Sequence, residues 1–345
     1  MASVSPSFHT FLGVVVVAWA LFAGCDRAPP VRTEPPDLQA SIPAQEPDTP
    51  AAAPLASSSA SSSCSVASAQ PEPNAPRFDP YAFDPELFEK KRAPRSGDWL
   101  ARFPEKGQSF EKYVSGLPVR PTARRKEIVL QPLGSFDPAQ GEVLETLREL
   151  TSIFFDVPVR IATHLDLPRK GQRGGGAHKQ HHAGVILDDL LAPRLAPTAI
   201  CTLGVTMGDL YPEPSWNFVF GLASLDKRVG VYSLARFFPA FSGEPDSEPA
   251  RRKALRRSIQ VLAHEAGHMF SLEHCTEYEC LMNGSNSLDE MDRQVGMLCP
   301  TCLRKLQWNL GYDVRKRYER LRDFYRRVGL EELALWMDRR LERIP

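Results

Sequence analysis

Two periods of apolar and polar positions run through the second half of the chain. The stretches 127–133, 157–162, 198–206, 218–223 and 229–233 are short apolar runs and predict strands. Between the first two, Val143, Leu144, Leu147, Leu150 and Ile153 recur at helical spacing, which predicts a helix from Pro138 to Phe155. Residues 184–191 predict a second helix lining the sheet. A longer one starts at Ser247-Glu-Pro-Ala, where Ser suits the N-cap and Pro the first turn. Its buried stripe is Ile259, Leu262, Ala263, Ala266, Met269 and Phe270. The basic residues Arg251, Arg252, Lys253, Arg256 and Arg257 then form a solvated face. Residues 303–310 predict another helix, closed by Gly311. Apolar positions at 318, 321, 324, 325, 328, 330, 333, 335 and 336 predict one or two amphipathic helices packed on the core. The Gly-rich, basic segment 170–183, with His178, His181 and His182, reads as a solvated loop, and Cys201 as a core thiol.

The first half is different. Residues 11–23 are an apolar run of about 13, too short for a span of about 20 and suited to the core of a secretory leader. The run ends in Leu21-Phe-Ala-Gly-Cys25, which resembles a bacterial lipobox. This implies cleavage before Cys25, lipid on its sulfur and a place in the bacterial cell envelope. Residues 25–76 are almost all Pro, Ala, Ser, Glu, Asp and Gln. They cannot bury enough apolar area to offset their ordering entropy, so they predict a disordered, lipid-anchored linker. Aromatics return from residue 77, and 77–121 reads as an ordered extension that packs on the region after it. The organisation is thus a signal peptide at 1–24, the linker, the extension, a main domain at 122–312 that carries the chemistry described next, and a C-terminal helical segment at 313–345. With 42 basic and 42 acidic residues the net charge is zero, which excludes a general nucleic-acid binder.

The chemistry concentrates in 264–282. His264 and His268 are four apart and share one helix face. Glu265 lies about 100° round the helix, within reach of a water activated there. His274 is six residues further on, so the chain must bend after Phe270 to bring it back. Three neutral imidazoles with one open position are the ligand set of a catalytic zinc, with Glu265 as its general base. Of the seven cysteines, four fall in short spacings, at Cys275, Cys280, Cys299 and Cys302, which reads as a metal site.

Met282 follows Cys280 by two, and the run H-C-x4-C-x-M followed by Cys299-Pro-Thr-Cys302 resembles the archaemetzincins, a family of metzincin metallopeptidases. Residues 203–206, 209–211, 217–223 and 228–233 are similar to that family too. The resemblance covers roughly 122–312. It implies an α+β zincin domain with a mixed sheet, an active-site helix and a Met-turn at Met282. It also implies two Zn2+, one catalytic and one structural on the four cysteines. The substrate is then a peptide or protein, which in metzincins can add as a strand to the edge of the sheet beside the cleft; 218–223 and 229–233 are the two candidates for that edge. The chain departs from the metzincin pattern at Ser271, where Gly is usual. There φ > 0 is required, which a Ser adopts at a cost of about 1 kcal/mol. The residues leave two alternatives: a zinc-stabilised binding or scaffold lipoprotein without turnover, and cleavage of another kind of amide.

Overall fold

The computed structural model describes residues 14–18, 80–176 and 179–344. Cys25, the linker and His178 lie outside them. In chain order the elements begin with β1 (Val14–Ala18), α1 (Trp99–Arg102), α2 (Phe110–Ser115), β2 (Glu127–Leu133), α3 (Pro138–Phe155) and β3 (Val159–Ile161). Next come β4 (Gln172–Arg173), β5 (Gln180–His182) and α4 (Ala183–Val185), which runs into a π-helix at Ile186–Leu191. The sheet is completed by β6 (Ala199–Thr206), β7 (Asp209–Tyr211), β8 (Val219–Ser224) and β9 (Val229–Ser233). The remaining helices are α5 (Pro239–Ser242), α6 (Glu248–Met269), α7 (Leu288–Asp292), α8 (Pro300–Leu310), α9 (Val314–Arg327) and α10 (Glu331–Leu341).

The strands form one mixed sheet in the order β3-β2-β6-β9-β8-β7-β5-β4. β2, β3, β6 and β9 run parallel, and β8 is antiparallel to β9. All eight residues of β6 are buried, as expected for a strand with parallel neighbours on both sides and a covered face above and below. The period of two separates those faces along β9. Tyr232 joins the core built with α3 and α6, whereas Val229 and Val231 pack with Ala183, Ile186, Leu187 and Leu191. Val14–Ala18 pairs antiparallel with β8, and β7 meets β8 at a single pair, Leu210 with Val219. No helix among the described residues is long and apolar enough to cross a membrane.

Local sequence sets the helix that carries the site. Ser247 Oγ accepts from Ala250 N at 3.4 Å, and Pro249 sits in the first turn where no N–H is needed. The helix α3 that packs beside it has a reciprocal cap. Asp137 accepts from Gln140 N at 2.8 Å, and Gln140 accepts from Asp137 N at 3.0 Å.

Four sequence expectations need correction. The 170–183 segment is not wholly loop: β4 and β5 pair within it, and His181 is buried. The helix expected at 184–191 is mostly π-helix. Helix α8 starts earlier than residue 303 because Cys299 is its N-cap, with Sγ accepting from Cys302 N. Arg256 and Arg257 are not simply solvated. Arg257 pairs bidentately with Asp292 at 2.5 and 2.8 Å, and Arg256 donates to the carbonyls of Asp292 and Gln294. Both tie α6 to the end of α7, where their charge finds partners that water would otherwise supply.

Candidate functional site

The structure brings His264, His268 and His274 together, with one ring nitrogen from each lying within 4.8 Å of the others. Two of them stand four apart on α6. His264 Nδ1 lies 2.7 Å from the carbonyl of Leu281, and His268 Nδ1 lies 2.6 Å from that of Leu272. A carbonyl can only accept, so each Nδ1 carries the proton and each Nε2 keeps a lone pair. Those two Nε2 atoms are 3.0 Å apart. Two lone pairs facing each other at that distance repel unless a cation lies between them. His274 Nε2 is buried with no partner. The three donor atoms therefore fit a zinc ion.

Electrostatics agree. Burial, and then the nearby His274, pull His264 down to about 3. Burial, followed by the two other rings, lowers His268 well below its ordinary value. Metal ligation needs neutral imidazole, and this environment keeps it neutral. Glu265, next on the helix, is 1% exposed, and neither carboxylate oxygen has a protein partner. Burial alone pushes it up to about 8. Beside it lies a cavity of about 20 Å³ lined by Gln260, His264, Asn283, Ser285 and Gln294, room for roughly one water.

Three contacts bring His274 back to α6. Phe270 closes the helix, and Ser271 then adopts φ 66°, the left-handed turn that the usual Gly would make without strain. Ser271 Oγ accepts from Val119 N at 3.1 Å. Tyr113 donates its hydroxyl to the Phe270 carbonyl at 2.8 Å. Gln108 Nε2 donates to the Ser271 carbonyl at 3.1 Å. The serine is thus strained but anchored to residues 80–121. Replacing it separates the two effects. Ser271→Ala keeps the strain and strips the acceptor from Val119, and should lose about 1–2 kcal/mol in urea unfolding. Ser271→Gly relieves the strain while losing the same bond, and should fall nearer the parent. A glycine variant less stable than the alanine one would contradict this balance.

Met282 is fully buried under the helix. A Cβ added at Gly267 would stand 2.7 Å from its Sδ, so the small residue between Ala266 and His268 makes room for that side chain.

Cys275, Cys280, Cys299 and Cys302 form a second cluster, all buried and none in a disulfide. Their sulfurs also lie within 4.8 Å of one another, and Cys275 Sγ is 3.6 Å from Cys299 Sγ. Four thiolates at a Zn–S distance of about 2.3 Å are spaced by about 3.8 Å along each tetrahedral edge. Hydrogen bonds from Cys280, Cys299 and Cys302 hold Cys275 far below the usual thiol range. Backbone N–H groups of Met282 and Cys299 point at Cys280 Sγ. Asn283 fastens the loop, accepting from Cys280 N and donating to the carbonyls of Cys275 and Tyr278.

The model of peptidase family M54 matches residues 187–308, which include both clusters. Archaemetzincin-2 of Macaca fascicularis is 34% identical over 276 residues, spanning 70% of this chain and 76% of its own length. Human archaemetzincin-2 is 34% identical over 274 residues with the same coverage. The chain belongs to the archaemetzincin family. It is a zinc-dependent metallopeptidase with a mixed-sheet α+β fold and two candidate zinc sites, a histidine triad and a four-cysteine cluster. A solved structure, the archaemetzincin of Methanopyrus kandleri, is 29% identical, covering 56% of this chain and 99% of its own, with a TM-score of 0.43.

One group at the site was invisible to sequence reasoning. Glu105 accepts from His274 Nδ1 at 2.9 and 3.0 Å and from Trp99 Nε1 at 2.9 Å. It lies 169 positions upstream in an irregular stretch, and no spacing rule connects the two.

Proposed function

We propose that His264, His268 and His274 hold the catalytic zinc, with Glu265 as general base and later proton donor and Met282 as a support beneath the histidines. The observation that carries this reading is the convergence of three Nε2 lone pairs next to a buried carboxylate that no protein group satisfies. Zinc, when bound, polarises the substrate carbonyl and acidifies water. Glu265 accepts the proton that water loses and returns it to the leaving amine. Its raised affinity for protons suits that double role near neutral pH. The four cysteines hold the structural zinc.

The substrate is an extended peptide that adds to β8 along the side that Val14–Ala18 occupies. Support comes from the topology: β8 is antiparallel to β9, and its other side takes a short strand at Val14–Ala18. Those five residues lie inside the apolar run 11–23, so removal of a leader before Cys25 would leave that edge open. A chelator-sensitive turnover of a peptide library by zinc-loaded protein tests the peptidase reading. Peptide binding without any cleavage would favour the scaffold alternative.

The lipobox-like Leu21-Phe-Ala-Gly-Cys25 and the Pro-, Ala- and Ser-rich stretch after it support a lipid anchor in the bacterial cell envelope. Cys25→Ser should abolish fatty-acid labelling and move the protein out of the membrane fraction. Labelling that survives the substitution would remove the anchor from the reading.

A further inference from the structure

Of the three histidines, two are oriented by the chain that follows the helix, through the carbonyls of Leu272 and Leu281. His274 has no such carbonyl. Its Nδ1 meets only the carboxylate of Glu105, from a different part of the chain, with both oxygens at hydrogen-bond distance.

We propose that Glu105 is the positioning residue of the catalytic zinc site: it accepts the hydrogen bond of the His274 Nδ1–H and so aims the Nε2 lone pair at the metal. This makes residues 80–121 a working part of the metal site rather than a peripheral wrap. The inference rests on the reading of His274 as a zinc ligand.

Four features argue for it. First, the tautomer is fixed by the pair. A carboxylate accepts, so Nδ1 carries the proton, and Nε2, buried and without a partner, is left as the donor to a cation. Second, Glu105 is itself held in place. Trp99 Nε1 donates to the oxygen that His274 shares, and the Trp99 ring stands edge-on to His274 with centroids 5.2 Å apart. The backbone N–H of Trp99 is gripped by both oxygens of Glu290, at 3.1 and 3.0 Å. Its indole lies where a Cβ on Gly284 would come within 2.4 Å, so only glycine there lets it approach. Third, the segment just after Glu105 is tied to the chain just before His274. Gln108 donates to the Ser271 carbonyl and accepts from Glu273 N, and the buried Lys305 donates to the Gln108 carbonyl. Fourth, a plain surface ion pair is the wrong description. His274 is 9% exposed, so the pair is shielded from the solvent screening that makes surface pairs weak. A carboxylate behind a ligating imidazole also makes the ring a better donor, which a backbone carbonyl does less strongly.

The test is zinc affinity at the histidine site, measured on the full chain by competition with a chelator, with the four-cysteine zinc as internal control. Glu105→Ala should weaken the histidine-site zinc by about 10- to 100-fold and leave one zinc per chain on the cysteines. Glu105→Gln keeps a neutral acceptor, and its loss should be smaller, roughly several-fold. With Co2+ in place of zinc, the weak visible bands of the histidine site should shift in both variants, while the thiolate charge-transfer bands of the cysteine site stay put. A role in folding alone would not move the first set without the second. Parent affinity and an unchanged histidine-site spectrum in Glu105→Ala would overturn the proposal. Should that variant misfold, parent values in Glu105→Gln would do so equally. His274→Ala in the same assay keeps the two ideas apart. If it too binds two zincs with parent affinity, the ligand assignment fails; if it loses one while Glu105→Ala does not, only the role of Glu105 fails.

Discussion

Glu265→Ala should keep both zincs and lose peptide hydrolysis by about 10²- to 10⁴-fold in kcat, the usual effect of removing a positioned general base. The structure adds a less obvious expectation, that the variant is no less stable than the parent. Both carboxylate oxygens are buried without a partner, and burial alone raises the group to about 8. A polar group left unsatisfied in the interior costs roughly 1–3 kcal/mol. Alanine removes that penalty but leaves a small cavity beside an existing one of about 20 Å³. The two terms oppose each other, so the melting temperature should be unchanged or slightly higher. Thermal unfolding, elemental analysis and single-turnover kinetics on the same preparation check all three points. A zinc-loaded variant that still turns over substrate at the parent rate would refute the assignment. A strongly destabilised variant would show that Glu265 has a structural partner. The two outcomes are separable, because the first is read at saturating zinc on folded protein.

How far the sequence discloses this arrangement depends on the range over which each feature is encoded. Helix α3 is legible to the residue, since its stripe from Val143 to Ile153 lies within one window; its Asp137 cap emerges only in the structure. The pair His264 and His268 was legible for the same reason: helical spacing alone puts them together. That Ser271 must turn left-handed was also readable, and φ is 66° there. The reason a serine can stand there was not readable, because Val119, which uses its hydroxyl, is 152 positions away. The strand pair inside 170–183 escaped because β4 has only two residues and β5 three, too few for a period to register. Which of 218–223 and 229–233 forms the edge is a property of the whole sheet. β9 sits between β6 and β8, while β8 meets β7 at a single pair and otherwise takes Val14–Ala18 on its second side, and only assembly shows this. Glu105 is the extreme case. Its role follows from where two distant loops meet, and its local sequence, Phe103-Pro-Glu-Lys, carries no pattern at all.

Losing the second metal should damage the first. Cys299→Ser is expected to release one zinc per chain, lower stability by about 4 kcal/mol or more, and weaken the catalytic zinc in turn. The stability figure corresponds to free zinc about a thousandfold above its Kd for the folded state. The coupling follows from shared chain. Cys275 directly follows His274, and its N–H donates to the Met282 carbonyl at 2.7 Å. Leu281, whose carbonyl orients His264, stands between Cys280 and Met282 and donates its own N–H to Met297 at 2.7 Å. Cys299 meanwhile starts α8 as its N-cap, so the cluster also fixes where that helix begins. Without a cation, four buried thiols within 4.8 Å must share protons in a space that favours ionisation at Cys275 and opposes it at Cys280. That arrangement is poor for an unliganded core and good for Zn2+, which takes four thiolates and releases their protons. An oxidising envelope would offer the alternative of two disulfides. The four cysteines are free in the fold, and metal held before oxidation can act would keep them so. Thiol counting on chelated, denatured protein separates the cases. Four reactive thiols from these positions, with two zincs per chain beforehand, support the coupled sites. Two disulfides among them, with a single zinc per chain, would show that the histidine site stands without its neighbour.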